Sequence, residues 1–545
     1  MTETSLRHES TAAAGTRPAE AVLARGWRTE LLLVGLLITG LTALLPLYDP
    51  DLPMHLAIGE WIVRHRALPT VEPFAWTRAG APFYAYSWLP ETTFYLVHRA
   101  FGPLGLRLLQ GALMLAVGLS TLSLARAARW STGTRICTAA FSVLVAALVT
   151  PSLRPQIVLL IALPLVWAEM YRLRRDDATG WTIARLVALS ALVVNSHLFF
   201  AMVLAPVPLL LVDRPVPWAR AFRATGALVA GWLLTPYLLH WPALLRANFA
   251  PNAMLASPSP IAELQPGFAA VPHLEVIALP AILLALLPWA AGSVFTAPRH
   301  RALAAAYWLV GLVGFAYANR LLLVWWLLVL PFVGAVVDQR AAREGVALPR
   351  ARFRVPAYAL LAVLLVLSLI RSGRAWELEG TRDRRTLATI AAKDAEPLAS
   401  WLEQHLRPGA TGRLFTVFNF GSYLTWRLPG ISPSVDGRTL FPDSVARAEA
   451  LVVADRRTIP TGPWRSADLA IVPLNRRVAG AIDSSARVPM GAGDRRSGWH
   501  RVAIAVDSSD AAGPDTTGLW VRRDWWSRVG RTALPDSLVV LRVRR

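Results

Sequence analysis

Asp49, Asp51 and His55 stand close together in the chain: two carboxylates one residue apart, with an imidazole four positions beyond the second. They follow an uncharged apolar run, 31–47, nearly long enough to cross a bilayer. Asp49 or Asp51 can cap a helix whose first turn accepts Pro50 or Pro53. On that helix Asp51 and His55 share a face at i,i+4 spacing. Two acids and an imidazole where a span meets water suit proton transfer or cation binding. Acids are also ordinary at a helix start, so the elements around them decide which reading holds.

Those elements are apolar. Of the 545 residues 54% are hydrophobic and the mean hydropathy is +0.43, the composition of an integral membrane protein. The net charge of +21 is nearly all arginine, since Lys393 is the only lysine. In a soluble chain that charge would suggest nucleic acid, but no nucleic-acid motif is present. Apolar runs of spanning length recur near 29–47, 104–125, 136–151, 156–171, 182–195, 197–212, 224–240, 272–292, 302–318, 321–337 and 355–370, about eleven candidate helices. Alternate loops carry the arginines: Arg126, Arg129 and Arg135; Arg172, Arg174 and Arg175; Arg214, Arg220 and Arg223; Arg299 and Arg301; then a cluster at 340–354. By the positive-inside rule the N-terminus lies inside, with 49–103, 241–271 and everything after about 371 outside. Residues 1–28 read as a cytoplasmic tail, 29–370 as the transmembrane domain and 371–545 as a soluble extracytoplasmic α/β domain. The single cysteine, Cys137, excludes an intrachain disulfide or a cysteine metal site.

The same alternation puts the polar residues at apolar boundaries on the outer side: Asp49, Asp51, His55, Glu91, Arg154, Gln156, Asn195, His197, Tyr237, His240, Glu263, Asn319 and Arg320. A charge near the bilayer centre costs about 3 kcal/mol on insertion scales, so such groups need partners or water. Both charge signs gathered on one face point to a shared water-filled cavity. In the first outer loop, 52–66 and 86–99 read as amphipathic interfacial helices joined by a Pro/Gly-punctuated stretch, 69–82. In the soluble part the patterns predict helices at 395–406, 421–427 and 444–454, and strands at 413–418, 434–435, 469–472, 502–506 and 519–521. No P-loop, dinucleotide-binding glycine fingerprint, zinc-ligand spacing or nucleophile elbow appears among them.

The first loop resembles that of bacterial integral-membrane glycosyltransferases of the GT-C superfamily, relatives of protein O-mannosyltransferases and aminoarabinose transferases. The resemblance rests on Asp49-Pro50-Asp51-x-x-x-His55-x-x-x-Gly59-x-Trp61, Glu72-Pro73-Phe74-Ala75-Trp76-Thr77 and Trp88-Leu89-x-Glu91. It continues through Arg154-Pro155-Gln156, Asn195-x-His197, Pro236-Tyr237, Ile261-x-Glu263 and Asn319-Arg320. Phe418-Asn419-x-Gly421-Ser422 and Val435-Asp436-Gly437-Arg438 extend it into the soluble part.

The resemblance implies a polytopic α-helical fold with a soluble α/β domain, in the cytoplasmic membrane of a bacterium. It implies transfer of a sugar from a polyprenyl phosphate to a lipid, glycan or protein acceptor at the outer face, with inversion. The first-loop aspartate is then the base; between the two, pairing with His55 favours Asp51. Arg320, Arg154 and His197 are the groups for the phosphate, and Glu91, Gln156, Asn195, Tyr237 and Glu263 complete substrate binding. Some such enzymes need a divalent cation and others do not; Asp49 and Asp51, with Glu91 and Glu263, are the positions for one. A lipid or polymer transporter, or an envelope scaffold, are the competing readings of the same polar cavity.

Overall fold

The computed structural model describes residues 35, 47, 49–149, 153–175, 178–212, 216–249, 266–267, 280, 282–284, 298–343, 393–438, 463–475, 477–486, 498–507 and 515–542. The expected spans at 29–47, 272–292 and 355–370, the helix at 444–454 and Glu263 lie wholly or mostly outside these.

Helix α1, Leu52–His65, carries Pro53 in its first turn, where a missing N–H costs nothing. It is buried nearly all round, by Leu52, Met54, Leu56, Ala57, Ile58 and Ile62. The expected interfacial helix at 86–99 and the span at 104–125 prove to be one element, α2, Trp88–Ala127, broken in direction at Gly102-Pro103. Gly102 there adopts φ +65°, which a residue with a Cβ resists. Beyond the break Leu104, Leu108, Leu115 and Leu119 are all exposed at helical spacing, a stripe suited to lipid.

Helices α3 (Thr132–Val149), α4 (Ile157–Arg174), α5 (Thr182–Val194), α6 (Trp218–Trp232), α7 (Trp241–Phe249), α8 (Pro298–Tyr317) and α9 (Leu322–Arg343) follow among the described residues. One apolar core joins them, α7 excepted, around Trp167, Trp308, Trp325 and Trp326; Leu244 of α7 packs instead with Tyr84 and Tyr237. Two expected spans are interrupted. Residues 197–212 form two short 3-10 turns meeting at Ala205-Pro206, and 224–240 break between Trp232 and Leu238 at Thr235-Pro236. Proline lacks the N–H that an unbroken helix needs and forces the preceding residue out of helical geometry. Among the described residues two helices are long and apolar enough to cross a membrane, Trp88–Ala127 and Asn319–Gln339. Thr132–Ala147, Thr182–Val194 and Leu198–Leu211 are shorter apolar helices.

The soluble part is a six-stranded mixed sheet in the order β2-β1-β3-β5-β4-β6. After α10 (Glu396–His405), β1 (Gly412–Thr416) leads into α11 (Phe418–Arg427) and β2 (Ile431–Pro433). Then come β3 (Leu469–Pro473), α12 (Arg477–Ala486), β4 (Trp499–Asp507), β5 (Asp515–Arg522), α13 (Arg523–Val529) and β6 (Val539–Arg542). β1 runs parallel to β2 and β3, and β5 antiparallel to β3 and β4. The strand expected at 434–435 lies earlier, because Ser434 and Val435 leave the sheet toward the first loop. The Thr77 hydroxyl donates to the Ser434 carbonyl at 2.6 Å and the Trp76 indole to that of Leu414 at 3.1 Å. α11 packs on the same loop, with Trp426 edge-on to Tyr95 and His98.

Candidate active site

Asp49 precedes α1 and its side chain is fully buried. Its Oδ1 accepts the Asp51 N–H at 2.8 Å, so the helix start is capped by Asp49 and not by the Asp51 side chain. Arg154, held just ahead of α4 by Pro155, grips both Asp49 oxygens: Nε to Oδ2 at 2.5 Å and Nη2 to Oδ1 at 3.2 Å. The same Nη2 lies 3.2 Å from Asp51 Oδ2. The two acids therefore differ. Asp49 is sealed in, whereas the Asp51 side chain is 26% exposed.

His55 turns its ring to α2, where Nδ1 meets Glu91 Oε1 at 2.9 Å. Gly59, one turn on, makes this approach feasible: a Cβ there would come within 2.2 Å of the Glu91 carbonyl. Burial works against a charged imidazole at His55. The hydrogen bond and charge of Glu91, with the charges of Asp51 and Asp49, outweigh it and raise the pKa above 6.5. Protonated His55 thus stabilises the fold fully below that unfolded value, and the contribution disappears as pH rises through the raised folded value. The melting-temperature gap between wild type and His55→Gln should therefore be widest near about pH 6 and shrink toward about pH 9. A gap independent of pH would show that His55 acts by packing alone.

Glu91 is itself buried, and its Oε2 has no hydrogen-bond partner among the described residues. Close by stands Tyr86, whose pKa is pushed up to about 12 by burial and by the charge of Glu91; Arg320 opposes this, Asp51 adds to it and Arg438 opposes it again. The phenol is therefore neutral at ordinary pH, and the charges that act on it come from four parts of the chain. Arg320, at the head of α9, is exposed. Its guanidinium sits over the Phe199 ring at 5.9 Å, and it makes no ion pair among the described residues. His197 lies beside that ring, its Nδ1 accepting the Phe199 N–H at 3.1 Å.

Two candidates chosen by residue type turn out to be engaged within the protein. Asn195 donates to the carbonyls of Ala191 and Leu234, both at 2.8 Å, and accepts the Trp88 indole at 2.8 Å. The Tyr237 hydroxyl donates to the Pro69 carbonyl at 3.0 Å and accepts the Ala85 N–H at 3.1 Å. Both tie the first loop to the bundle. Gln156 holds the N-cap position of α4, half-buried.

One cluster escapes a reading of single residues. Arg438, from the soluble part, chelates Glu72 of the first loop at 3.0 and 2.8 Å and Asp436 at 2.8 and 2.5 Å. Its guanidinium also lies 4.7 Å from the Phe83 ring and 5.4 Å from that of Phe74. Burial disfavours the charge on Glu72, but Arg438 and the N–H groups of Ala75 and Phe74 more than compensate and lower its pKa. The charges of Asp436 and Glu72 likewise overcome burial and raise that of Arg438. The signal in the sequence was a pair of turn motifs, one with an acid and one with an arginine, far apart in the chain.

A divalent cation fits poorly between Asp49 and Asp51, because the Arg154 guanidinium occupies the space between them. Among the described residues no group of three or more His, Cys, Asp or Glu side chains converges on a metal position.

No family model matches the chain, and no curated protein matches it in sequence. Solved structures do. The arabinofuranosyltransferase AftD from Mycobacteria superposes with a TM-score of 0.53 at 18% identity, over 91% of this chain and 40% of that one. The chain thus spans about two fifths of the length of AftD. ArnT from Cupriavidus metallidurans, bound to undecaprenyl phosphate, gives 0.49 at 16% identity over 91% of this chain and 98% of ArnT. The oligosaccharyltransferase of Archaeoglobus fulgidus gives 0.49 at 12% identity over 90% of this chain and 74% of that one. The chain therefore shares the fold of the matched part of AftD.

Proposed function

We propose, from this shared fold, that the chain transfers a sugar from a polyprenyl-phosphate carrier to an acceptor at the outer face of a bacterial cytoplasmic membrane. The supporting observation is a set of three groups whose charges all act on Tyr86: the partly exposed Asp51, the buried Glu91, whose Oε2 has no hydrogen-bond partner among the described residues, and the exposed Arg320 with no ion pair among them. These are the three demands of the chemistry. Asp51 takes the proton of the acceptor hydroxyl as its oxygen attacks the anomeric carbon. The bond from that carbon to the phosphate oxygen breaks on the opposite face, so the centre inverts and the electron pair leaves on phosphate. Arg320 neutralises that charge, a role a guanidinium fills with two parallel bonds. Glu91 Oε2 accepts a substrate hydroxyl, and Tyr86 donates to one. Arg154 is a positioning group for Asp49 and Asp51, not the phosphate clamp, because its own charge is already spent on them.

The direct test supplies labelled polyprenyl-phosphate sugars from outside to intact spheroplasts and to proteoliposomes of the purified chain. Transfer of label to an acceptor or to water is expected. Label that crosses the bilayer still attached to its carrier would indicate a transporter, and label that stays in place would leave only a scaffold.

Arg320→Ala should lower turnover by about 10²–10³-fold, the usual loss for a transition-state charge contact. Melting should hardly change, since Arg320 is exposed and, among the described residues, rests over Phe199 without an ion pair. Turnover near wild type would make Arg320 an interfacial anchor.

A further inference from the structure

The turn that carries Arg438 reaches the candidate base itself. A Cβ added at Gly437 would come within 2.2 Å of Asp51 Oδ1 and 2.6 Å of Ser422 Oγ. The Gly437 N–H donates to that same Ser422 hydroxyl at 2.8 Å. Ser422 lies on α11, which packs against α1 just beyond Asp51. Gly421, its neighbour, has the Val435 carbonyl where its own Cβ would be, at 1.9 Å, so the turn and α11 are pressed together. On the other side of Gly437 the chelate of Arg438 by Glu72 and Asp436 pins the turn to the first loop. The turn is thus held against Asp51 from both sides of Gly437.

We infer that the soluble domain is a working part of the catalytic centre: the Asp436-Gly437-Arg438 turn, latched to Glu72, forms a wall against Asp51 and fixes the direction in which its carboxylate points. Gly437 and Arg438 are positioning residues. Glycine leaves to the Asp51 oxygen the space that any side chain would push it out of, and arginine lets a single head group hold two buried carboxylates in place at once. The inference builds on the transfer reading. It adds that the membrane domain alone has an incomplete site.

Two measurements test it. The first is Gly437→Ala in the full chain, assayed for kcat, donor KM and the pH profile of turnover. The expected result is a kcat at least about tenfold lower, a donor KM within about twofold of wild type, and a displaced acid limb of the profile, because the carboxylate that titrates has been pushed into a new environment. A purely structural role would lower the amount of folded enzyme without moving the acid limb. Arg438→Lys, which keeps the charge but cannot bridge both acids, should show the same displaced limb more weakly. Wild-type kcat with an unmoved limb in Gly437→Ala overturns the inference. The second measurement needs no substrate. Asp51→Cys combined with Gly437→Cys, in a Cys137→Ala background, should form a disulfide on mild oxidation of the folded protein; failure to cross-link overturns it as well. A wild-type chain that transfers no sugar but whose cysteine pair cross-links defeats the transfer reading, and the turn's catalytic role with it, while the contact stands.

Discussion

Asp51→Asn is expected to reduce sugar transfer by about 10²–10⁴-fold, the range lost with a general base, in a protein that melts as the wild type does. The fold has less at stake in this carboxylate than in that of Asp49, which is fully buried. Asp51 occupies the N-cap position of α1, yet its side chain caps nothing, and its own N–H is taken by Asp49. Its contact with Arg154 is that of a partly exposed pair, worth at most about 1 kcal/mol. Asparagine keeps the shape and removes the proton acceptor. Wild-type turnover in Asp51→Asn would remove Asp51 as the base, and with it the chemistry assigned to this loop.

Asp49→Asn, one of the smallest changes available two residues earlier, should have the opposite character. The Asp49 carboxylate is fully buried and bound through both oxygens by Arg154. Removing its charge breaks a bidentate pair in a mostly buried site and leaves the Arg154 guanidinium facing the partly exposed Asp51, a loss of about 3 kcal/mol, the low end for a broken buried pair. The variant should melt well below wild type and accumulate poorly, with turnover per folded molecule much less affected than in Asp51→Asn. Adding Arg154→Gln should recover part of the loss, so that the double variant is less unstable than the two single losses summed. Unchanged melting of Asp49→Asn would mean that the pair contributes no stability.

The contrast between these two acids marks how far the sequence could be read. The spacing of Asp49, Asp51 and His55 was visible, because a helix start is a local event set by Pro53 and the apolar run that follows. Which acid is sealed and which is open was not, since the deciding partner, Arg154, lies 105 residues on. Helical spacing suggested Asp51 as the partner of His55. The ring goes instead to Glu91, 36 residues away, because the missing Cβ at Gly59 lets α1 and α2 touch. Asn195 and Tyr237 had the residue types of ligands, but nothing in a linear pattern reveals that their polar atoms are already bonded within the protein. Hydropathy ran through Pro206 and Pro236 as if they were ordinary, though each removes a backbone donor and breaks the helix. The Glu72–Arg438 contact joins residues 366 apart, and the two motifs could be noted without any sign that they meet.

That separation has a consequence for the order in which the protein comes into being. Asp49, Glu72 and Glu91 leave the ribosome early, and Arg154 can neutralise the aspartates once the next helices have inserted. Arg438 emerges only after Arg320 and the rest of the bundle, and the strands that complete its sheet emerge later still. On the outward topology proposed above, that domain must also be exported before it can fold and close on the first loop. On the transfer reading, a nascent chain that stops short of Arg438 would therefore hold its base without the wall that aims it. On the same reading, competence waits for the 436–438 turn, so synthesis itself would keep chains that stop short of it from spending donor.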